Sequence, residues 1–526
     1  MAAIISQPCD ESIIRFAPAA APCSERTGRW VLVATTLASS MAFIDSTVVN
    51  VALPALQANL NATIVDVQWV IEAYSLLLAA LLLVGGSLGD HYGRRKIFLL
   101  GVMVFALASA WCGCAFDVAQ LIVARAVQGF GAALLVPGSL AIISSSFSES
   151  ERGRAIGTWS GLSAITTAMG PVLGGWLVEH VSWRAVFFIN VPIAVLVILT
   201  SIKFVPESSD KESAGLDWLG AIIGTVGLGA LVYGLIESSR LGLSDRSVIA
   251  VIVAATLILI VFLFVEARLS HPMLPLPLFR SPTFTGTNLL TFLLYAALGG
   301  TLFFLPLNLI QIQHYAPTSA GAALLPFILI MSLLSRWSGG LITVYGPRLP
   351  LIVGPMIVAA GYALFILPNA GGSYWMTFFP PAVVLGLGMA ITVAPLTTTV
   401  MNSVPQHRAG AASGVNNAVA RTAGLLAIAV FGIVMLQVFK HALNQRLVES
   451  KLPPSLIRSV ETQSTKLAAI SIPQNLDLAT KQVIRHAIDE SFVTGFRSVM
   501  AIGAALAGAS SIIALTLIRT ARRPDQ

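Results

Sequence analysis

Apolar runs long enough to cross a lipid bilayer recur along almost the whole chain, and nothing else in the sequence restricts its fold so strongly. They are read at 31–54, 67–89, 97–115, 119–140, 156–179, 184–205, 216–238, 248–266, 284–308, 317–345, 349–368, 376–401, 409–438 and 494–519. About twenty apolar residues rising 1.5 Å each match a hydrocarbon core of roughly 30 Å. A bilayer core offers no water to unpaired backbone groups, so such runs must be helices. Composition agrees: of 526 residues 56% are hydrophobic and only 10% charged, too few charges to cover a soluble surface. The chain is read as an all-α polytopic membrane protein with about fourteen transmembrane helices.

The charges fix the expected topology. Arg26 and Arg29 precede the first span, and Arg94–Lys96, Arg152, Arg154, Lys203, Lys211, Arg268, Arg280, Arg348 and Arg408 fall in alternate loops. Arg519, Arg522 and Arg523 follow the last span, whereas the opposite short loops hold only Arg184, Arg240 and Arg246. Cations stay on the cytoplasmic side, which puts both termini there and makes the number of spans even. The net charge of +7 is thereby explained by helix ends and is no sign of nucleic-acid binding. No secretory cleavage pattern opens the chain, so the first span is expected to act as its own insertion signal. Cys112 and Cys114 lack zinc-site spacing, and no metal is expected. No phosphate loop or dinucleotide fingerprint is present; no enzyme activity, no cofactor and no ATP-driven step within the chain are expected.

The spans divide into a cytoplasmic tail (1–29), a six-helix bundle (30–205), a two-helix insert with its linkers (206–282), a second six-helix bundle (283–519) and a short tail (520–526). Between the last two spans, 440–493 is polar and expected outside the cytoplasm. It is read as a lid, an accessory-protein surface, or an extension of the flanking helices, with a short amphipathic helix at 476–492.

One loop stands out. Gly85–Gly101, GGSLGDHYGRRKIFLLG, packs Gly86, Asp90, Gly93, Arg94, Arg95 and Lys96 between two spans. It is either a plain positive-inside anchor or a latch, in which Asp90 makes charge-assisted bonds to the arginines or sits at a helix N-terminus. Its order, Gly-x-x-x-Asp-x-x-Gly-Arg-Arg, resembles the signature loop between helices 2 and 3 of the major facilitator superfamily. Gly339–Arg348 echoes it in the second bundle without the aspartate. Two six-helix repeats with an extra central pair resemble that superfamily's fourteen-helix drug:proton antiporter branch. The resemblance implies the major facilitator fold and export driven by the proton gradient.

Charges inside a bilayer are costly and mark function. Asp45, Glu72 and Arg125, on spans 1, 2 and 4, lie at one depth, about 8–9 Å below the outer surface. They can meet, either as a proton-coupling cluster whose members pull each other's affinity in opposite directions or as a fixed ion pair. Phe43–Pro54 is similar to the branch's helix 1 motif, which implies proton and cation handling for Asp45. Leu121–Gly131 is similar to its helix 4 motif, which implies proton transfer for Arg125. Glu72 departs from the pattern, which usually holds a small or hydroxylated residue there. It is a second proton site, a cation-selecting group, or a water-facing residue. Gly170-Pro171-Val-Leu-Gly174-Gly175 resembles the antiporter motif, and its glycines are expected to allow close packing between the two bundles. Trp183–Pro192 resembles the start of helix 6 in the branch. From helix position alone, Asn50, Tyr74, Gln128, Asn288, Asn308, Asn416, Asn417 and Arg421 are expected to line a substrate cavity.

The expected function is export of amphipathic drugs or toxic small molecules across the cytoplasmic (inner) membrane in exchange for protons. The partners are a small-molecule substrate, protons and the lipid bilayer. A narrow-substrate exporter of a metabolite, siderophore or lipid is one alternative; a non-transporting receptor on the same scaffold is another.

Overall fold

The computed structural model describes residues 25–518 apart from 148, 210–216, 243, 270–271, 405–408 and 451. Residues 1–24 and 520–526 of the expected tails, and the cations Lys211, Arg408, Arg519, Arg522 and Arg523, lie outside the described residues. Among the described residues fourteen helices are long and apolar enough to cross a membrane. Their main helical segments are α1 (Glu25–Asn59), α2 (Ile64–Tyr92), α3 (Arg94–Cys114), α4 (Val118–Ser146), α5 (Glu149–His180), α6 (Asn190–Phe204), α7 (Trp218–Leu241), α8 (Arg246–Glu266), α9 (Pro282–Leu307), α10 (Leu325–Gly339), α11 (Arg348–Phe365), α12 (Phe379–Asn402), α13 (Ala409–Glu449) and α14 (Leu478–Leu517). Short helical turns, Ala185–Phe188 and Pro317–Ala322, lead into α6 and α10.

Contacts gather the chain into two units. One holds the chain up to Val49, Val70–Leu228 and Ile258–Met273; the other holds Asn50–Trp69, Gly229–Leu257 and the chain from Leu274 onward. Within the first unit α3 runs along α4, back to back at two glycines: a Cβ on Gly101 would meet the Gly131 carbonyl at 3.0 Å. Within the second unit α11 and α12, the third and fourth spans of the later six, repeat this: a Cβ on Gly388 would meet the Gly354 carbonyl at 2.8 Å. Without a hydrophobic drive between helices in lipid, such small-residue contacts supply much of the packing. Both signature loops also turn on a left-handed glycine just ahead of an arginine that opens a helix: Gly93 (φ 112°) before Arg94, and Gly346 (φ 71°) before Pro347-Arg348.

Prolines inside the helices are answered by neighbours. Pro137 in α4 has no N–H to give the Ala133 carbonyl. Gly85 of α2 lies against that carbonyl so closely that an added Cβ would sit 2.0 Å from its oxygen. Pro192 likewise cannot donate to the carbonyl of Phe188, and the helix breaks there and restarts at Asn190.

The stretch between the last two spans is helical at both ends. α13 runs on to Glu449 and α14 begins at Leu478, well ahead of the expected 494, so the amphipathic 476–492 is the first part of α14. Asp477 caps α14, accepting from the Thr480 backbone N–H. Bonds from Thr480 hold its carboxyl below the ordinary aspartate value. Between these helices Val460, Leu467, Ala468 and Ile470 are buried. The segment is bonded within the second unit: Lys466 Nζ donates to Asn61 Oδ1 (2.6 Å), and Arg485 reaches the Gln311 carbonyl (2.8 Å). Span 10 is shorter than its apolar run, because the backbone turns at Gly340 between α10 and the one-turn helix Leu341–Tyr345.

Gly85→Ala should destabilise the folded protein by about 1–3 kcal/mol, because backbone and not a flexible side chain fills the space. Gly157→Ala, with nothing within 4 Å of its Cβ, should not. Unfolding curves of the two variants in detergent check this pair.

Candidate functional site

The first unit buries an ion pair between α1 and α4. Asp45 and Arg125 are both fully enclosed, and Arg125 Nη1 lies 2.6 Å from Asp45 Oδ2. The same Nη1 donates to Gln128 Oε1 at 2.7 Å, and Gln128 Nε2 donates to Asp45 Oδ1 at 2.8 Å, closing a ring of three groups. Arg125 Nε donates to the Val70 carbonyl of α2 at 3.0 Å, and the guanidinium stacks over the Tyr74 ring, 4.2 Å from its centroid. Tyr74 in turn donates its hydroxyl to the Ala42 carbonyl of α1 at 3.3 Å. Helical spacing explains the arrangement. Arg125 and Gln128 are three residues apart on one face of α4, so both reach the same carboxylate.

Three further residues belong to the site. Asn190, at the restarted end of α6, donates Nδ2 to Asp45 Oδ1 at 3.2 Å and to Ser109 Oγ of α3 at 2.9 Å. Ser109 Oγ donates to the Phe187 carbonyl at 2.8 Å, and Cys112 Sγ lies 3.7 Å from Gln128 Oε1. None of the three stands among the expected site residues. Asn190 carried a signal, since it stands two residues before Pro192 in a quoted motif. Ser109 and Cys112 carried none, being small residues in an apolar helix.

Glu72 stands two residues after Val70 on α2 and is fully buried. It is not in this network: neither carboxylate oxygen has a hydrogen-bond partner. The ion pair therefore unites two of the three expected charges. The reason is local, because the α2 group that Arg125 takes up is the backbone carbonyl of Val70.

Within the first unit, Gly170 and Gly174 of the antiporter motif pack on α1. A Cβ on Gly170 would sit 2.0 Å from Thr47 Oγ1, and one on Gly174 would sit 2.8 Å from Val48. Gly175 is buried beside them. Pro171 explains the register. It withholds an N–H from the Thr167 carbonyl, and that oxygen lies 3.5 Å from Thr47 Oγ1, two residues from Asp45. Higher on the same helix pair, Trp159 Nε1 donates to Ser39 Oγ (3.1 Å) and Thr166 Oγ1 to Ser40 Oγ (3.0 Å).

At the signature loop Arg94 Nε donates to Asp90 Oδ1 at 2.7 Å, one helical turn away in sequence. Asp90 takes the arginine, and the N-terminus of α3 is taken by Glu207 from the linker after α6. Glu207 Oε1 accepts from the Arg95 backbone N–H at 3.1 Å and would sit 2.7 Å from a Cβ on Gly93. Arg95 Nη1 donates to the Val205 carbonyl at 3.0 Å. Gly86 is half-buried, with Pro137 Cβ 3.5 Å from where its own Cβ would stand.

Of the residues expected to line a cavity, Gln128 and Tyr74 are committed to the ion pair. In the second unit Asn416 Nδ2 of α13 donates to Asn288 Oδ1 (3.2 Å) and Thr291 Oγ1 (2.7 Å) of α9. Asn417 is exposed and donates to the Ser413 carbonyl one turn back. Arg421, one turn above it, is half-buried. Asn308 is buried and accepts from Gln313 at 3.4 Å; Asn50 is half-buried in α1.

Comparison with known proteins supplies the context. A model of the Major Facilitator Superfamily matches residues 35–428. The chain is 32% identical over 519 residues to the tetracenomycin C resistance and export protein of Streptomyces glaucescens, covering 96% of this chain and 94% of that one. It is 34% identical over 441 residues to the multidrug resistance protein Stp of Mycobacterium tuberculosis, covering 83% and 81%. Among solved structures it resembles a bacterial homologue of the human lysosomal transporter Spinster, with a TM-score of 0.64, 18% identity, and coverage of 95% of this chain and all of that one.

Removing one member of a buried ion pair leaves the other charge without compensation, at about 3–5 kcal/mol. Asp45→Ala and Arg125→Ala should each destabilise the protein by that amount. The double variant should lose clearly less than the sum. A double-mutant cycle from unfolding in detergent checks it; additive losses would mean that the pair is not coupled.

Proposed function

This chain belongs to the Major Facilitator Superfamily and is an efflux transporter within it, and from that premise we propose that it exports amphipathic drug-like molecules in exchange for protons taken up at Asp45. The observation that carries the proposal is the Asp45–Arg125 pair, sealed from solvent and tied to α2, α3 and α6. A carboxylate held only by polar side chains in a dry site changes its whole environment when it gains a proton: the attraction to Arg125 disappears. Proton and substrate then act through different affinities for the alternating states, as any ligand must. The names of the relatives, covering tetracenomycin C and multiple drugs, support drug-like cargo.

Glu72 is proposed as the group that favours positively charged cargo. A carboxyl without a polar partner in a dry site is costly to ionise, and a cation brought beside it relieves that cost. Asp90 and Arg94, with Glu207 and Arg95 beside them, are proposed as the latch whose pairing changes between states. The membrane is proposed to be the cytoplasmic one, with both termini inside and the proton gradient as the energy source.

In proteoliposomes preloaded with ethidium, an imposed pH gradient should drive dye movement by the wild type. Asp45→Asn should reduce the rate to that seen without a gradient; gradient-driven movement that survives the substitution would refute the assignment. Glu72→Gln should weaken transport of the permanently cationic dye while sparing neutral substrates; equal losses on both would show that Glu72 does not select for charge.

A further inference from the structure

Asn190 makes bonds that a merely packed asparagine does not need. Its side chain is fully buried, and its Nδ2 spans Asp45 Oδ1 and Ser109 Oγ. Both of those atoms act as acceptors here, since Ser109 gives its own proton to the Phe187 carbonyl. This fixes the amide orientation, because an oxygen in that position would face two acceptors. The other end of the amide, Oδ1, is buried without a hydrogen-bond partner. A buried amide oxygen without a donor is uncommon and calls for a reason.

We propose that Asn190 is a positioning residue that serves both protonation states of Asp45, turning its amide to give Nδ2 to the carboxylate and to offer Oδ1 to the acid. The inference rests on the reading of Asp45 as the proton-coupling group. In the state described here Asp45 accepts from Arg125, Gln128 and Asn190. When a proton arrives from water, one O–H bond forms on the carboxyl and no other group changes charge. The new O–H then needs an acceptor. Gln128 Oε1 is already taken by Arg125 and faces Cys112, whereas Asn190 Oδ1 is idle. A half-turn of the amide places it toward Asp45. Ser109 follows by rotating its hydroxyl from the Phe187 carbonyl to the same Oδ1, which no backbone shift is needed to reach.

The groups facing Asp45 are Arg125 and Gln128 from α4 and Asn190 from α6, with Tyr74 on α2 and Cys112 and Ser109 on α3 around them. Of these only Asn190 holds an unused acceptor directly bonded to the carboxylate. Its loss should therefore change the pH at which Asp45 titrates and not only how well the helices pack.

The test is the infrared carboxyl band of Asp45, taken as wild type minus Asp45→Asn in lipid nanodiscs across a pH titration. Asn190→Leu keeps the size and removes both functions. Its band should move in frequency, because the acid has lost its acceptor, and its midpoint should move with it. Ser109→Ala, which leaves Asn190 in place without its support, should give a smaller displacement of the same band. An unchanged band and midpoint in both variants would overturn the role of Asn190 while leaving Asp45 as the proton site. Absence of any titrating band in the wild type would instead overturn the reading of Asp45 itself. Reduced yield or stability of Asn190→Leu with an unmoved midpoint would mark the residue as packing only and would equally overturn the proposal.

Discussion

Everything in the first unit is arranged around one constraint: a carboxylate and a guanidinium share a site from which water is excluded. Moving either ion out of water costs several kcal/mol even after relaxation, and mutual attraction offsets this only when remaining donors and acceptors are also satisfied. The structure meets that condition with groups from α2, α4 and α6. The Val70 carbonyl takes Arg125 Nε, the Tyr74 ring covers the guanidinium face, and Gln128 and Asn190 complete the carboxylate. An ion pair so costly is a poor way to stabilise a bundle and a good way to make a bundle respond to one proton.

Prolines are the second organising device. In lipid a carbonyl freed by proline must find a partner or a close neighbour. Pro137 brings Gly85 onto Ala133, next to the signature loop, and Pro171 leaves Thr167 facing Thr47, next to Asp45. Pro192 ends one helix and starts another at Asn190. Each break thus lies within a few residues of a group given a role here. This joins local backbone chemistry to the place where helices would have to move.

Much of this was legible in the residues. The fourteen spans follow from apolar length, and the level of Asp45 and Arg125 follows from counting 1.5 Å per residue along two helices entering from opposite faces. Depth alone said that Glu72 lies at the same level but not which way it points, and the structure gives its place to a backbone carbonyl. Glu207 went unnamed among the candidate residues, because nothing local shows that the linker after α6 will fold back over a helix N-terminus. The early start of α14 was visible as helical periodicity, but hydropathy set the boundary where the apolar run began. The packing of Gly170 and Gly174 on α1 depends on which helix lies opposite, and no spacing in the sequence encodes that.

The central claim is that Asp45 exchanges a proton for cargo. Purified protein in weakly buffered detergent, with a pH indicator present, should release protons when an exported compound is added, and Asp45→Asn should bind the same compound without release. Equal proton release from wild type and Asp45→Asn would contradict the account.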